Sequence, residues 1–157
     1  MFENATIVIP WDFSDRSREA CRFGQSLASP DRLHFVCVLD QPEIYSLEWA
    51  TQEPEEAAQS CREHFWKVSG VSPDSGSHLH IEFGDPAAEI VALAERVSAD
   101  LILLPTHGRT GVQRLVMGSV AEQVLRRSHG PVLLLPHTWY ESRRGSAPDP
   151  IQLSDQG

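Results

Sequence analysis

The stretch that decides the fold is residues 101–122, LILLPTHGRTGVQRLVMGSVAE. It opens with an apolar run, which is typical of a strand that is buried on both faces. It closes on Ser119 and Glu122, which match the S-x-x-E capping box and predict a helix start at Ser119. The loop between them carries three glycines. Such a loop can hold an anion, because glycine lets the backbone come close and free helical amides favour negative charge.

Outward from this segment, short apolar runs alternate with segments of helical spacing. The predicted strands are Ala5–Pro10, Leu33–Leu39, Leu79–Phe83, Leu101–Leu104 and Val132–Leu135. The helix starts are marked by Ser14 as an N-cap, by Pro54 at a first helical position, by Asp85 followed by Pro86, and by Ser119. In the last helix, Ala121, Val124 and Leu125 are predicted to face inward.

This alternation predicts an α/β fold: a five-stranded parallel sheet with helices on both faces. The third strand alternates apolar and polar residues, as an edge strand does, whereas the first and fourth are apolar throughout. The strand order 3-2-1-4-5 satisfies both patterns. We expect one domain over residues 1–137, followed by a polar, flexible tail over residues 138–157 that is rich in Pro, Gly and Ser.

Charge and cysteine usage exclude several classes of function. The net charge of −9 argues against nucleic-acid and anionic-membrane partners, which require surplus Lys and Arg. Residues 106–129 nevertheless hold four arginines and one acid, which suits a small anion. Cys21, Cys37 and Cys61 show no metal or redox spacing, so they are interpreted as reduced, buried thiols. Without a signal-peptide pattern at the N-terminus, a cytoplasmic location is expected.

In an open parallel sheet, ligands bind beyond the carboxyl ends of the strands, where the strand order reverses. Here that point lies between the first and fourth strands. Residues 10–14 (PWDFS) follow the first strand and residues 105–117 follow the fourth, so Asp12 faces a glycine-bearing loop. The arrangement suits a nucleotide. Neither the P-loop pattern nor G-x-G-x-x-G is present.

Three stretches carry a resemblance to a known family: VIPWDFS, LHFVCVLD, and THGRTGVQRLVMGSVAEQVLRRSHGPVLLLP. Over roughly residues 5–136 the chain resembles single-domain universal stress proteins related to UspA. The resemblance implies a Rossmann-like fold of the adenine nucleotide alpha hydrolase-like type. Nucleotide-binding members carry G-x2-G-x9-G-[ST]; Gly108, Gly118 and Ser119 match its second half, and Pro105 replaces its first glycine. Proline offers no N–H at that position.

The resemblance also implies a cofactor and its site. ATP would bind with Mg²⁺ or Mn²⁺ held through the phosphates. Asp12 would contact the base or ribose, the backbone of Val38 would contact adenine, and the phosphates would lie near Gly108, Arg109, Gly118, Ser119 and Val120. The remaining candidate residues of the same loops are Pro10, Trp11, Thr106, His107 and Gly111.

Several residues have a simpler interpretation beside the functional one. Capping alone explains Ser119, and Trp11 can pack in the core instead of stacking on a base. His78 and His80 share one face of the third strand and could bind a metal as a pair, but without a third ligand a solvated edge is favoured and no metal site is predicted.

Three functions remain open at this point: an ATP-binding stress or signalling module, a nucleotide-free dimeric interaction protein, and a slow ATPase or related hydrolase. We expect the first, ATP binding, although Pro105 favours the second; the third lacks an evident catalytic set, so we expect no enzyme beyond slow ATP hydrolysis. The last strand is apolar yet belongs at the sheet edge. We therefore expect a homodimer through Val132, Leu133, Leu134 and Leu135.

Overall fold

A computed structural model describes residues 2–39, 53–106, 117–136 and 138–139. The strands are β1 (Ile7–Pro10), β2 (Leu33–Leu39), β3 (His78–Phe83), β4 (Leu101–Pro105) and β5 (Val132–Leu135). The helices are α1 (Asp15–Leu27), α2 (Pro54–Val68), α3 (Pro86–Arg96) and α4 (Ser119–Arg127). Short 3₁₀ turns cover Pro30–Arg32 and Pro73–Ser75.

The sheet order is β3-β2-β1-β4-β5 and every pair is parallel, so the predicted fold is confirmed. Alternate side chains of the central strands point to opposite faces. On one face, Ile7 and Ile9 of β1 pack in a core with Phe65 of α2, a core that α1 also joins. On the other face, Val8 packs in a second core with Ile90 of α3, which α4 also joins. The two layers of helices bury the sheet from both sides.

Most of the predicted caps and first helical residues are confirmed. The Ser14 hydroxyl accepts a hydrogen bond from the amide of Ser17, and the Asp85 carboxylate accepts one from Ala88. Proline occupies the first turn of both α2 and α3. All three cysteines are buried and free, as expected.

α4 begins at Ser119, as predicted, but its cap differs from the prediction. Gly118, not Ser119, is its N-cap residue, and no side chain caps this terminus. The capping box does not form, because Ser119 is already the first helical residue, and the Glu122 carboxylate accepts from Arg126 one turn later, at 2.8 Å. Leu125 does not face inward either, since it is 47% exposed.

The predicted tail enters the described part of the chain only at residues 138 and 139. The Trp139 ring packs on Phe23 of α1, with ring centroids 5.1 Å apart, and its amide donates to the carbonyl of Pro136. The first residues of this tail therefore lie against the domain. Residues 140–157 lie outside the described residues.

Candidate functional site at the strand switch point

A crevice opens where β1 and β4 stop pairing. Their register contains only Ile7 with Leu101 and Val8 with Ile102. Beyond these pairs, β1 continues to Pro10 beside β2 alone, and β4 continues beside β5 alone. The two central strands thus part at their carboxyl ends, which is where a ligand binds in this class of sheet.

The parting has a cause in the sequence of β1. The amide of Trp11 donates to the carbonyl of Val36 on β2, at 2.8 Å. Successive residues of a strand direct their backbone groups to opposite neighbours, so the position of Pro10 faces β4. Proline has no N–H there to continue the ladder.

The backbone donors of β4 also alternate between its two neighbouring strands. Leu101 donates to Thr6 of the segment entering β1, and Ile102 donates to Pro131 on the β5 side. By alternation, the position of Pro105 faces β1, and again proline has no hydrogen to donate. Each of the next two ladder donors between the central strands is therefore a proline, and this is why the crevice opens.

Asp12 lies in the turn that follows β1. Its Oδ1 accepts a hydrogen bond from the amide of Ser14 at 3.0 Å, which closes an Asx turn. The residue between them, Phe13, has a backbone φ of 65°, a conformation that residues other than glycine rarely adopt. Burial and the nearby Asp12 carboxylate raise the pKa of the Cys21 thiol. The turn thus fixes one carboxylate oxygen and leaves the other for a ligand hydroxyl or N–H.

Trp11, the neighbour of Asp12, has a structural role. Its side chain is 3% exposed and contacts Phe13 and Phe65 edge to face, with ring centroids 5.5 and 5.2 Å apart. Its indole nitrogen is buried, with no hydrogen-bond partner in the part of the chain described. The indole belongs to the core, in agreement with the packing alternative for this residue.

The start of α4 lies next to the carboxyl end of β4. The amide of Gly118 donates to the carbonyl of Thr106 at 2.6 Å, so it is not available to a phosphate as the family pattern implied. The Gly118 carbonyl accepts the first helical hydrogen bond, from Glu122, at 3.0 Å. Among the described residues, no group accepts from the amides of Ser119 and Val120. These two amides lie at the positive end of the helix dipole and can donate to an anion.

The remaining predicted site residues are placed as follows. Thr106 directly follows β4, and its amide donates to Leu135 of β5 at 3.0 Å. Val38 lies on β2, two residues beyond the last register pair with β1, on the side of the crevice. His107, Gly108, Arg109 and Gly111 lie outside the described residues.

One histidine of the β2–β3 pair was not among the predicted candidate residues. His34 of β2 lies beside His78 in the register of the sheet, and its ring nitrogen is 3.0 Å from that of His80. The described ranges nevertheless contain no group of three His, Cys, Asp or Glu side chains that could hold a metal ion. They also contain no helix with the length and apolar character needed to cross a membrane.

The fold is that of a Rossmann-like α/β protein whose two central strands part at the switch point. Comparison with known proteins gives the family. The model of the universal stress protein family matches residues 3–136. The universal stress protein MJ0531 of Methanocaldococcus jannaschii is 37% identical over 143 residues, covering 82% of this chain and 80% of that protein. The chain belongs to the universal stress protein family.

Solved structures agree with this assignment. Protein MJ0577, a universal stress protein of the same organism, has a TM-score of 0.68 at 26% identity, over 87% of this chain and 96% of that one. A universal stress protein solved in complex with cAMP has a TM-score of 0.53 at 21% identity, over 84% of this chain and 96% of that one. The second likeness concerns the fold alone.

Proposed function

We propose that this protein binds ATP at the strand switch point and acts as a nucleotide-responsive stress or signalling module of the cytoplasm, without classical enzymatic turnover. The observation that carries the proposal is the crevice between β1 and β4, with the Asp12 carboxylate on one wall and the uncapped α4 terminus on the other. A carboxylate suits ribose hydroxyls or a base N–H, and free helical amides suit phosphates. A protein of similar fold solved with cAMP supports an adenine nucleotide.

In this proposal, the adenosine lies against the Asp12 turn and the backbone of Val38. The phosphates lie against the amides of Ser119 and Val120, with Mg²⁺ or Mn²⁺ held through the phosphate oxygens. Pro105 removes a donor on the β1 side of the crevice, but the proposed phosphate donors are the amides of Ser119 and Val120.

Isothermal titration calorimetry with ATP and Mg²⁺ tests the carboxylate wall. Asp12→Asn keeps an oxygen for the Ser14 amide and removes the charge. The affinity for ATP should therefore fall about tenfold or more, which corresponds to the loss of one charge-assisted hydrogen bond. Asp100→Asn is the matched control. Its Oδ2 accepts from the Thr6 amide at 2.8 Å, at the opposite end of the same two strands. No heat with the wild type, or equal losses in both variants, refutes the proposal.

A second pair of variants tests the helix wall. Ser119→Ala removes the hydroxyl alone, whereas Ser119→Pro also removes the amide. Proline fits here, because Gly118 before it is extended, with ψ of 152°, and α2 and α3 also carry proline in their first turns. ATP affinity should fall further in Ser119→Pro than in Ser119→Ala, with unchanged thermal stability. Equal affinities would place the phosphates elsewhere.

The alternative is a nucleotide-free dimeric interaction protein. Mass spectrometry of purified and then denatured protein separates the two. Co-eluting adenine nucleotide supports the binding module, whereas none, together with no calorimetric heat, favours the alternative. Phosphate release measured in the same samples tests for slow ATP hydrolysis.

We also propose a homodimer through β5. This strand lies at the sheet edge, and its side chains Val132, Leu133 and Leu134 are only half-buried, beside the exposed Leu125 of α4. The carbonyl of Leu135 faces β4, so by alternation the backbone of Leu134 faces outward. Light scattering at micromolar concentration should give a dimer and Leu134→Pro a folded monomer, because proline removes an edge donor. A wild-type monomer contradicts this proposal.

A further inference from the structure

Three imidazoles connect the edge strand β3 to its neighbour β2. His34 of β2 and His78 of β3 are register partners, and their rings stack with centroids 4.5 Å apart and planes 15° apart. His80 lies two residues further along β3, and its Nε2 is 3.0 Å from Nδ1 of His34. We call these residues the three-histidine clasp. The contact between His34 and His80 requires one nitrogen to donate and the other to be unprotonated.

The clasp lies on the face of the sheet that α3 covers. Side chains alternate along β3, so His78, His80 and Glu82 share this face, while Leu79 and Ile81 pack against the core of the opposite face. Within the described residues, β3 pairs with β2 alone. Contacts between these two strands therefore decide whether β3 stays in the sheet.

His34 and His80 are two possible metal ligands, but the described residues contain no group of three that could hold a metal ion. The His34–His80 contact is sensitive to the charge of the rings, because a second proton would remove its hydrogen-bond acceptor.

The surroundings oppose that charge. Partial burial, followed by the neighbouring His78 and His80, lowers the pKa of His34 to about 4. Burial, followed by the positive charge of Arg96, also lowers the pKa of His80. The titratable and charged groups around the clasp are Asp31 beside His78, Glu82 on β3, Arg62 on α2 and Arg96 on α3. Glu82 is the acid whose negative charge acts on His80, and it is already paired with Arg96.

We propose that the three-histidine clasp is an acid-sensitive latch, which holds β3 on the sheet while its rings are neutral and releases this edge strand when they are protonated. The direction follows from linkage. A histidine whose folded pKa lies below the unfolded value of about 6.5 binds protons preferentially in the open state. Its contribution to stability is complete above about pH 6.5 and is lost as the pH falls toward the folded value.

Hydrogen exchange of the full chain, corrected for intrinsic rates, tests the latch. Between about pH 7 and about pH 5, opening of residues 78–83 should increase about tenfold, while residues 101–105 of the central strand β4 should not change. His34→Gln and His80→Gln each remove one titrating ring and should flatten this pH dependence. His129→Gln is the matched control, because His129 is an exposed histidine paired with Glu95 on another surface, and it should behave as the wild type.

Two outcomes overturn the proposal. One is an equal response of β3 and β4, which would indicate global acid unfolding; the other is an undiminished pH dependence in both glutamine variants. An NMR titration of the imidazoles provides a readout that does not depend on variants. His34 should titrate well below the ordinary value, and a midpoint near about 6.5 would refute the latch. Zinc-induced stabilisation of the wild type that His80→Gln abolishes would also overturn it, by making the cluster a metal site.

Discussion

Gly24 in the middle of α1 determines how closely this helix approaches the sheet. A Cβ built on Gly24 would lie 2.2 Å from Cδ1 of Ile9, 3.5 Å from its Cγ1 and 3.6 Å from Cδ2 of Leu103. Ile9 and Leu103 belong to β1 and β4, beyond the point where these strands stop pairing. The helix thus spans both strands, and any residue larger than glycine at this position requires Cδ1 of Ile9 to move.

The effect of Gly24→Ala follows from two opposing terms. Alanine in a helix interior gains about 1 kcal/mol over glycine. Against this, carbon atoms prefer separations of about 3.5–4.0 Å, and the δ-methyl of the fully buried Ile9 must move, at about 1–3 kcal/mol for overpacking. We expect Gly24→Ala to destabilise by about 0–2 kcal/mol. In an Ile9→Val background, which lacks Cδ1, the same change should stabilise by about 1 kcal/mol.

Urea denaturation followed by circular dichroism measures the four free energies of unfolding. Ile9→Val alone should cost about 0.5–1.5 kcal/mol, and the two changes should couple favourably by about 1–3 kcal/mol. Ile7→Val is the matched control, because Ile7 is equally buried on the same strand and face but is not among the atoms nearest to the built Cβ. Its cycle with Gly24→Ala should be additive. Additivity within roughly 0.5 kcal/mol for Ile9 as well would refute the reasoning.

Four further outcomes are expected. Gly70→Ala should lower the free energy of unfolding by about 1 kcal/mol because φ is +79° there, whereas Gly130→Ala, also in open space, should be close to neutral by urea denaturation. Asp85→Ala should cost about 1–2 kcal/mol in the same assay, through loss of the α3 cap. A thiol reagent at about pH 8 should label no cysteine before unfolding, because all three are buried and burial raises the pKa of Cys21; fast native labelling contradicts this. Pro105→Gly should change ATP affinity by less than about threefold in calorimetry, since the proposed phosphate donors are the amides of Ser119 and Val120 and not that of residue 105.

Much of the fold was predictable because strands and helix starts leave local signals. The bounds of β2 and β5 match the prediction, and the other strands differ by one or two residues at one end. Strand order followed from burial, since an alternating strand suits an edge and an apolar one the centre. Asp85 followed by Pro86 fixed the start of α3 for a similar reason, because the cap and the preset φ act over two adjacent residues.

The errors occur where a non-local contact decides between local options. Gly118 and Ser119 can both begin a helix, and the hydrogen bond from Gly118 to Thr106 selects the glycine as N-cap. The partner of His78 and His80 was hidden for the same reason. His34 looks like an ordinary strand residue until the register of β2 with β3 places it beside them.

The two prolines at the crevice show how one residue changes meaning between sequence and structure. In the sequence, Pro105 counts as a donor missing from the phosphate loop. In the sheet, its position faces β1 opposite Pro10, and the next amide, that of Thr106, is bonded to Leu135. Neither position at the mouth of the loop therefore offers an amide to a ligand. For the proposed nucleotide site, the amides in the first turn of α4 are the remaining candidate donors among the described residues, and Ser119→Pro is therefore its most direct test.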